Sequence, residues 1–584
     1  MKSFTGLQKL VALSLITLVA LFVAAKFAHG DASGVPQTDA TSGAITSGTG
    51  TAGDAATFSG AGGSAFTNPG CALNNTANPP ADVGTAVRDC AKTDPGQLAD
   101  QVGRNKIGIN FTWTLIMGSF VLFMQAGFAL LTTGLTRAKN AGHMMMLNFA
   151  AFVIAFVGYW AVGFAFQFGG AAINAAPGNL GGAMVLGHLL TVQGNNSGLI
   201  GLHGFMLQSG HTYDVGALAL FFFEVVFMET AGYIIVGAIA ERINFKTFIF
   251  AELAIGAIIY PIYGNWVWGG GWLSQIGDSM GLGHGAVDFA GSGVVHATGG
   301  FAALALAILL GPRIGKFNKD GSPNAIPGHN LPYVVVGTFI LLFGWMGFNP
   351  GSTLGATDLR VSVVIVNTLT ASVFGAAAAM AFTGWTYGKP DISMSCNGML
   401  AGLVAITAPC AFVSPWAAAL IGLVAGFLVC GGVWFFDHVA HVDDPCGAVS
   451  VHGLGGAWGV LSLGLFADGT YGAGWNGVSG NVTGLFYGDA GQFGAQAISL
   501  AVCFAWGFGL TAALFGAYKL VTSMRVAPEA EITGLDVPEF GVPGYAGFVM
   551  ERELHGSIPA ELLQHAGFAP TPATASPRIS PASV

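Results

Sequence analysis

Two histidines carry the clearest chemical signal in this sequence. Residues 288–300 read DFAGSGVVHATGG, and residues 444–456 read DPCGAVSVHGLGG. Both fit D-x-x-G-x-x-x-x-H-x-x-G-G without a gap, so His296 and His452 are equivalents in a repeated pattern. Imidazole donates or accepts hydrogen bonds and can pass a proton. A lone histidine in an apolar segment can equally be a packing residue; two at matched positions point to a shared site. Ionisable groups at bilayer depth are costly, and they mark substrate or proton paths. Two adjacent imidazoles cannot both be charged cheaply, so the expected resting state is a neutral pair, one ring donating to the other. The glycines three and four residues after each histidine allow helices to approach closely, so the rings could touch.

The elements that position these histidines follow from composition. The chain has 584 residues, 53% hydrophobic and 8% charged, with mean hydropathy +0.64. A soluble domain is about 25% charged, so most of this chain has a solvent other than water. Its 90 glycines fit close packing of helices in lipid. The net charge is −9, and no basic block suggests nucleic acid. Open sheet edges are not tolerated in hydrocarbon, which leaves a helix bundle or a closed barrel. The apolar runs are about 20 residues long, which selects helices.

Lys2 and Lys9 precede an apolar run, Val11 to Ala25, with small residues at Ala28 and Gly30. That reads as a secretory signal peptide, 1–30, against the alternative of an uncleaved first helix. Residues 31–106 are rich in Gly, Ala, Ser and Thr, and are expected to be loosely ordered outside the membrane. Cys71 and Cys90 lie there, and an oxidising compartment would join them in a disulfide. Cys396, Cys410, Cys430, Cys446 and Cys503 sit in apolar segments and read as small buried hydrophobes. The membrane domain is expected over 107–523 and a cytoplasmic tail over 524–584, ending in a Pro/Ser/Ala-rich stretch.

From Ile107 onward the sequence predicts an all-α membrane protein with eleven transmembrane helices. They lie near 108–134, 143–167, 214–238, 247–269, 288–311, 331–348, 360–386, 396–413, 416–437, 446–467 and 493–519. Basic residues (Arg137, Arg242, Arg313, Lys389, Lys519) collect after odd-numbered spans, with Arg360 the exception. The positive-inside rule then puts the N-terminus outside and the C-terminus in the cytoplasm of a multi-pass cell (inner) membrane protein. Five spans separate the two histidine copies, so Asp288 opens its helix from outside and Asp444 from the cytoplasm. That is the mark of an inverted 5+5 helix repeat around a central pore, with the site near the midplane. Each histidine is eight residues past its aspartate, about 12 Å into a helix that starts there.

Beyond this pattern, the sequence resembles the ammonium transporter (Amt) family over roughly residues 107–545. The residues that carry the resemblance are VVH at 294–296, VHG at 451–453, VWGGG at 267–271 and GFNPGS at 347–352. GAIAERINF at 237–245, VDDPCG at 442–447 and RVAPEAEITGLDV at 525–537 add to it. The resemblance implies a homotrimer with one hydrophobic pore per subunit, carrying ammonium or ammonia across the lipid, with methylammonium a further candidate substrate. It implies that Trp268 and Ser352, with Phe227 beside them, match an outer recruitment site, and that Asp288 supports that site and its helix. Phe227 and Phe348 match a stacked phenyl gate, and His296 and His452 the twin pore histidines. Phe223, Tyr260 and Trp345 match aromatic positions of the vestibule and pore. Trp268 with Ser352 favours the Amt branch over the related Rh branch. A PII signal protein is implied as a cytoplasmic partner, and the resemblance calls for no cofactor, metal or enzymatic role.

Two departures from the family pattern stand out. At 223–230 the chain reads FEVVFMET, where the family more often has Gln after the first Phe. Glu224 and Glu229 thus put carboxylates on the third span, and Glu224 is expected to add cation attraction outside the gate. Phe540 stands where the family's tail often has His. The expected chemistry is cation–π capture of ammonium, loss of its proton, and passage of neutral ammonia, with the histidines relaying the proton separately. The rival readings are an ammonium sensor on the same core, an Rh-like gas channel, and a bis-histidine haem enzyme; a haem site would bring more polar and ligand residues.

Overall fold

The computed structural model describes residues 95–169, 189–191, 198–207 and 215–545. The expected signal peptide, the expected Cys71–Cys90 pairing and residues 546–584 therefore lie outside the described residues. Eleven apolar helices follow one another: α1 (Pro95–Leu135), α2 (Ala138–Phe168), α3 (Val215–Ile239), α4 (Phe245–Val267), α5 (Ser292–Leu310) and α6 (Leu331–Gly351). The rest are α7 (Val361–Tyr387), α8 (Ile392–Ile406), α9 (Pro415–Ala440), α10 (Val449–Phe466) and α11 (Ala490–Val521). Ten are long and apolar enough to cross a membrane, and α8 is the shorter one. One small hairpin, Leu189–Thr191 with Gly198–Gly201, lies between α2 and α3.

Three differences from the sequence reading have local causes. α1 begins at Pro95, so residues 95–106 are helical and run ahead of the apolar span, which starts at Gly108. α8 stops at Ile406, short of the expected 413, because Pro409 disfavours helix in the residue before it. The unwound stretch is fully enclosed, and its carbonyls at Thr407 and Ala408 accept from the Ala290 and Phe289 amides. Irregular backbone at such depth is tolerated only where protein satisfies it. The two histidine helices begin later than expected, at Ser292 and Val449, not at the aspartates.

α3 and α5 are almost wholly enclosed by other helices, and they form the centre of the bundle with α10. Large apolar side chains face outward from α1 (Ile116, Phe123), α6 (Phe339, Phe343), α7 (Val366, Phe374) and α9 (Phe427, Trp434). Outward apolar surface of this extent suits lipid or another membrane subunit.

One end of the bundle is tied by buried ions. Glu241, held at φ 67°, accepts from the Arg137 and Asn140 side chains, and Arg313 Nη1 reaches it at 2.6 Å. Arg313 also forks onto Asp443, Nε at 2.8 Å and Nη2 at 2.9 Å. Burial alone would raise the Glu241 and Asp443 carboxyls, but the guanidiniums outweigh it and hold both well below the usual carboxylate range. Arg242 spends its guanidinium on the carbonyls of Ala240, Gly311 and Asp443. The motif A-E-R is thus an ionic joint between α3, α5 and the start of α10. After α11 the chain folds back as α12 (Pro528–Thr533) and α13 (Asp536–Phe540). Glu531 there binds Arg525 and the Ile314 amide, and Phe540 packs on His143 and Phe245 of the same chain.

Arg313→Ala should cost about 3–5 kcal/mol, the usual penalty for stripping one partner from a buried ion group. Purified protein would show it as a large drop in melting temperature. Because the folded pKa of Glu241 and Asp443 is depressed, their contribution is complete above the unfolded value, about 4. It should be lost as pH falls below that, and a melting temperature flat from neutral to strongly acid pH would contradict the assignment.

Arg360, the charge at the other end of the bundle, is held by local polar contacts. Its Nε donates to the Ala411 carbonyl at 2.7 Å, and it lies over the Tyr471 ring, whose hydroxyl binds Asp358.

Candidate functional site

The repeated motif explains its own geometry. Gly291 takes φ 113° and Gly447 φ 73°, a left-handed turn that glycine adopts without penalty. The turn swings each aspartate carboxylate over the first amides of the helix that follows. Asp288 accepts from the backbone amides of Gly291, Ser292, Gly293 and Val294, at 2.7 to 3.0 Å. Asp444 accepts from Ala448 and Val449. These are the orphan donors of a helix N-terminus, and a carboxylate there also meets the positive end of the dipole.

Each histidine then sits in a π-helical turn, Ser292–Ala297 for His296 and Val449–Leu454 for His452. Such turns are rare and cluster at functional sites. The paired glycines let the two turns touch. A Cβ at Gly456 would stand 2.5 Å from the Ser292 carbonyl oxygen, and one at Gly300 would collide with the Gly453 amide. At this contact His452 Nδ1 lies 3.3 Å from His296 Nδ1, so one ring donates to the other. His296 Nε2 is buried with no hydrogen-bond partner among the described residues. Whichever tautomer holds, one outward nitrogen is a donor and the other an acceptor.

A line of rings runs on from the histidines. Trp345 lies 5.1 Å and Phe348 5.6 Å from His296, both nearly parallel to it. Trp345 is pinned by Nε1 donating to Thr407 Oγ1 at 3.0 Å, which gives the unwound end of α8 a purpose. Phe348 stacks on Phe227 at 3.8 Å between centroids, and Phe223 packs behind Phe227 at 4.6 Å. Two phenyl rings at that separation leave no room between them, so a molecule passing here must displace one.

Trp268 stands 6.4 Å from Phe227 with its plane turned by 70°. Its Nε1 donates to the Asp288 carbonyl at 2.6 Å, and its ring edge covers Gly291. Asp288 therefore holds both the His296 helix and the indole, with its carboxylate committed to backbone amides. Ser352 Oγ donates to the Phe348 carbonyl at 2.9 Å, which leaves its oxygen free to accept. Glu224 is buried, and its carboxylate takes the Gln167 amide at 3.3 Å; Gln167 in turn accepts from Tyr159. The Tyr159 ring lies 6.2 Å from that of Tyr260. Sequence reading had no signal for Gln167, Tyr159 or Thr407, because Gln167 and Thr407 meet Glu224 and Trp345 from 57 and 62 residues away, and Tyr159 reaches Glu224 through Gln167. The D-x-x-G capping turn could have been read, since an aspartate ahead of a glycine and a helix is a capping signature.

Fold and site define a polytopic helical membrane protein with an aromatic and bis-imidazole line through its centre. The Ammonium Transporter Family model matches residues 112–545, and the chain belongs to that family, within the Amt/Rh superfamily. It is 47% identical to "Ammonium transporter Amt2" of Archaeoglobus fulgidus, over 80% of this chain and 94% of that protein. It is 34% identical to "Ammonium transporter Amt1" of Haloferax mediterranei, over 76% and 80%. Among solved structures it is similar to one described as "Sensor Amt Protein", at TM-score 0.63 and 36% identity, covering 74% of this chain and 99% of that one. Candida albicans Mep2 aligns at TM-score 0.60 and 26% identity, covering 76% and 93%.

Proposed function

We propose that this chain moves ammonium across a membrane by binding it at Trp268, stripping its proton and passing ammonia along the line from Phe227 to His452. The observation that carries the reading is the unbroken succession Trp268, Phe227, Phe348, His296, His452 at ring separations of 3.8 to 6.4 Å. Family membership and the names of the relatives support the substrate.

A bare cation in a low-dielectric path costs many kcal/mol. At the corner between Trp268 and Phe227 a cation within about 6 Å of both ring centres gains about 0.5–2 kcal/mol from each. Ammonium has only donors, and Ser352 Oγ offers an acceptor once its own proton is held by the Phe348 carbonyl. Glu224, three residues before Phe227 on α3, lies buried against the Gln167 amide. Beyond the gate the neutral molecule crosses without the charging penalty. The His296 Nε2 atom meets its hydrogen-bonding capacity, while the Nδ1 contact offers a separate route for the proton. A potassium ion has no proton to lose and would be refused. Transport is then electrogenic, in an eleven-helix, inverted 5+5 unit that assembles as a homotrimer, with α12 and α13 on the cytoplasmic side within reach of a PII protein.

The test is the current across proteoliposomes on an ammonium jump. Wild type should give a current and exclude potassium; Trp268→Leu should lower the current at subsaturating ammonium, and His296→Ala should abolish it or admit potassium. Unchanged current and exclusion in His296→Ala would end the relay reading. A second reading, sensing, is favoured by the likeness to "Sensor Amt Protein". Binding of ammonium with no current in any membrane would support it instead.

A further inference from the structure

On a helix, residues two apart point in nearly opposite directions, so Glu229 faces away from the Phe227 gate. Its Oε2 accepts from Gln125 Nε2 of α1, and its Oε1 is buried without a partner. Glu252 of α4 is wholly buried, and neither of its oxygens has a hydrogen-bond partner among the described residues. Its carboxyl is aimed at the α3 turn that carries Glu229, because a Cβ at Gly232 would collide with Glu252 Oε2. Tyr233, one turn after Glu229, lies within electrostatic reach of both acids. α1 presents the neutral amide of Gln125; of the titratable groups on α2, Lys139 and His143 sit nearer the ionic end of the bundle and Tyr159 is bonded to Gln167. None of the ion pairs among the described residues involves either acid.

Two unpaired carboxylates side by side in this setting would cost several kcal/mol each. With no arginine or lysine to answer them, the neutralising partner is a proton. Glu229 is ten residues from the end of α3 and Glu252 seven from the start of α4. That is about 10–15 Å from the end of the bundle that bears Arg242.

We propose that Glu229 and Glu252 form a second proton-binding site, apart from the histidine pair, exchanging protons with water at the ionic end. Loading adds one proton to a carboxylate oxygen and removes one negative charge from the α3–α4 contact. Unloading restores that charge on the helix turn next to Phe227. The site does not depend on what passes the gate, so the inference goes beyond the transport reading.

Full-length protein in lipid vesicles is treated with dicyclohexylcarbodiimide, which reacts with protonated carboxyls in apolar surroundings, and mapped by mass spectrometry. The expected result is an adduct on Glu229 or Glu252 that declines as pH rises and persists in His296→Ala. An infrared difference spectrum between two pH values should show a carboxylic carbonyl band that Glu229→Gln or Glu252→Gln removes. The wild-type labelling stands even if a variant misfolds. No adduct with no such band, an adduct unchanged at every pH where the protein stays folded, or its loss in His296→Ala would each overturn the proposal.

Discussion

Asp288→Ala is expected to abolish the site and most of the stability of the protein around it. Four buried amides, those of Gly291, Ser292, Gly293 and Val294, would lose their acceptor together. Each unsatisfied buried donor costs about 1–3 kcal/mol, so even partial rescue by water leaves a deficit of several. The turn that follows carries His296, and the carbonyl of Asp288 holds the Trp268 indole. Loss of the cap should thus reach the binding corner and the histidine pair at once. Asp288→Asn keeps one oxygen acceptor and should fall between wild type and alanine. Melting temperature and ammonium-driven current would be read side by side. An alanine variant that melts like wild type would show that the cap is not what holds this turn.

Gly456→Ala should separate the histidines with the fold retained. The added methyl would stand 2.5 Å from the Ser292 oxygen and 2.8 Å from the Ala297 nitrogen, both backbone atoms that cannot rotate aside. Overpacking of this kind costs about 1–3 kcal/mol, and the two π turns must part to relieve it. The Nδ1 contact, at 3.3 Å, is already near the long limit of a hydrogen bond. A rise of about 1.4 kcal/mol in the barrier for proton transfer there corresponds to roughly a tenfold lower rate. Gly455→Ala is the control, since its methyl would find nothing nearer than 3.5 Å. Equal currents from the two variants would sink the account, because only Gly456 lies in the contact.

Much of this was legible in residue types. The apolar runs located the helices, and the position of each histidine in a repeated thirteen-residue pattern singled out the pair. The resemblance to a family named Trp268, Ser352, Phe227 and Phe348, and the structure brings the three rings together in one line with Ser352 bonded to the Phe348 carbonyl. The end of α8 was misread because an apolar stretch looks the same whether it is coiled or unwound. Its form was decided by Pro409 and by the amides of residues 289–290, which donate to its carbonyls. Glu224 was expected to add cation attraction outside the gate; its burial against Gln167 was not legible in the sequence.

The sequence by itself determined that His296 and His452 are equivalent, because a matched pattern is a property of order along the chain. Only the tertiary structure decided that they meet Nδ1 to Nδ1, on π turns capped by Asp288 and Asp444. It also decided that Glu252 is aimed at the Glu229 turn across two helices. The physical reason is the same in both cases. Periodicity states which face a residue takes, but a contact across 23 or 156 residues depends on which backbones lie close enough to touch, here at Gly232, Gly300 and Gly456.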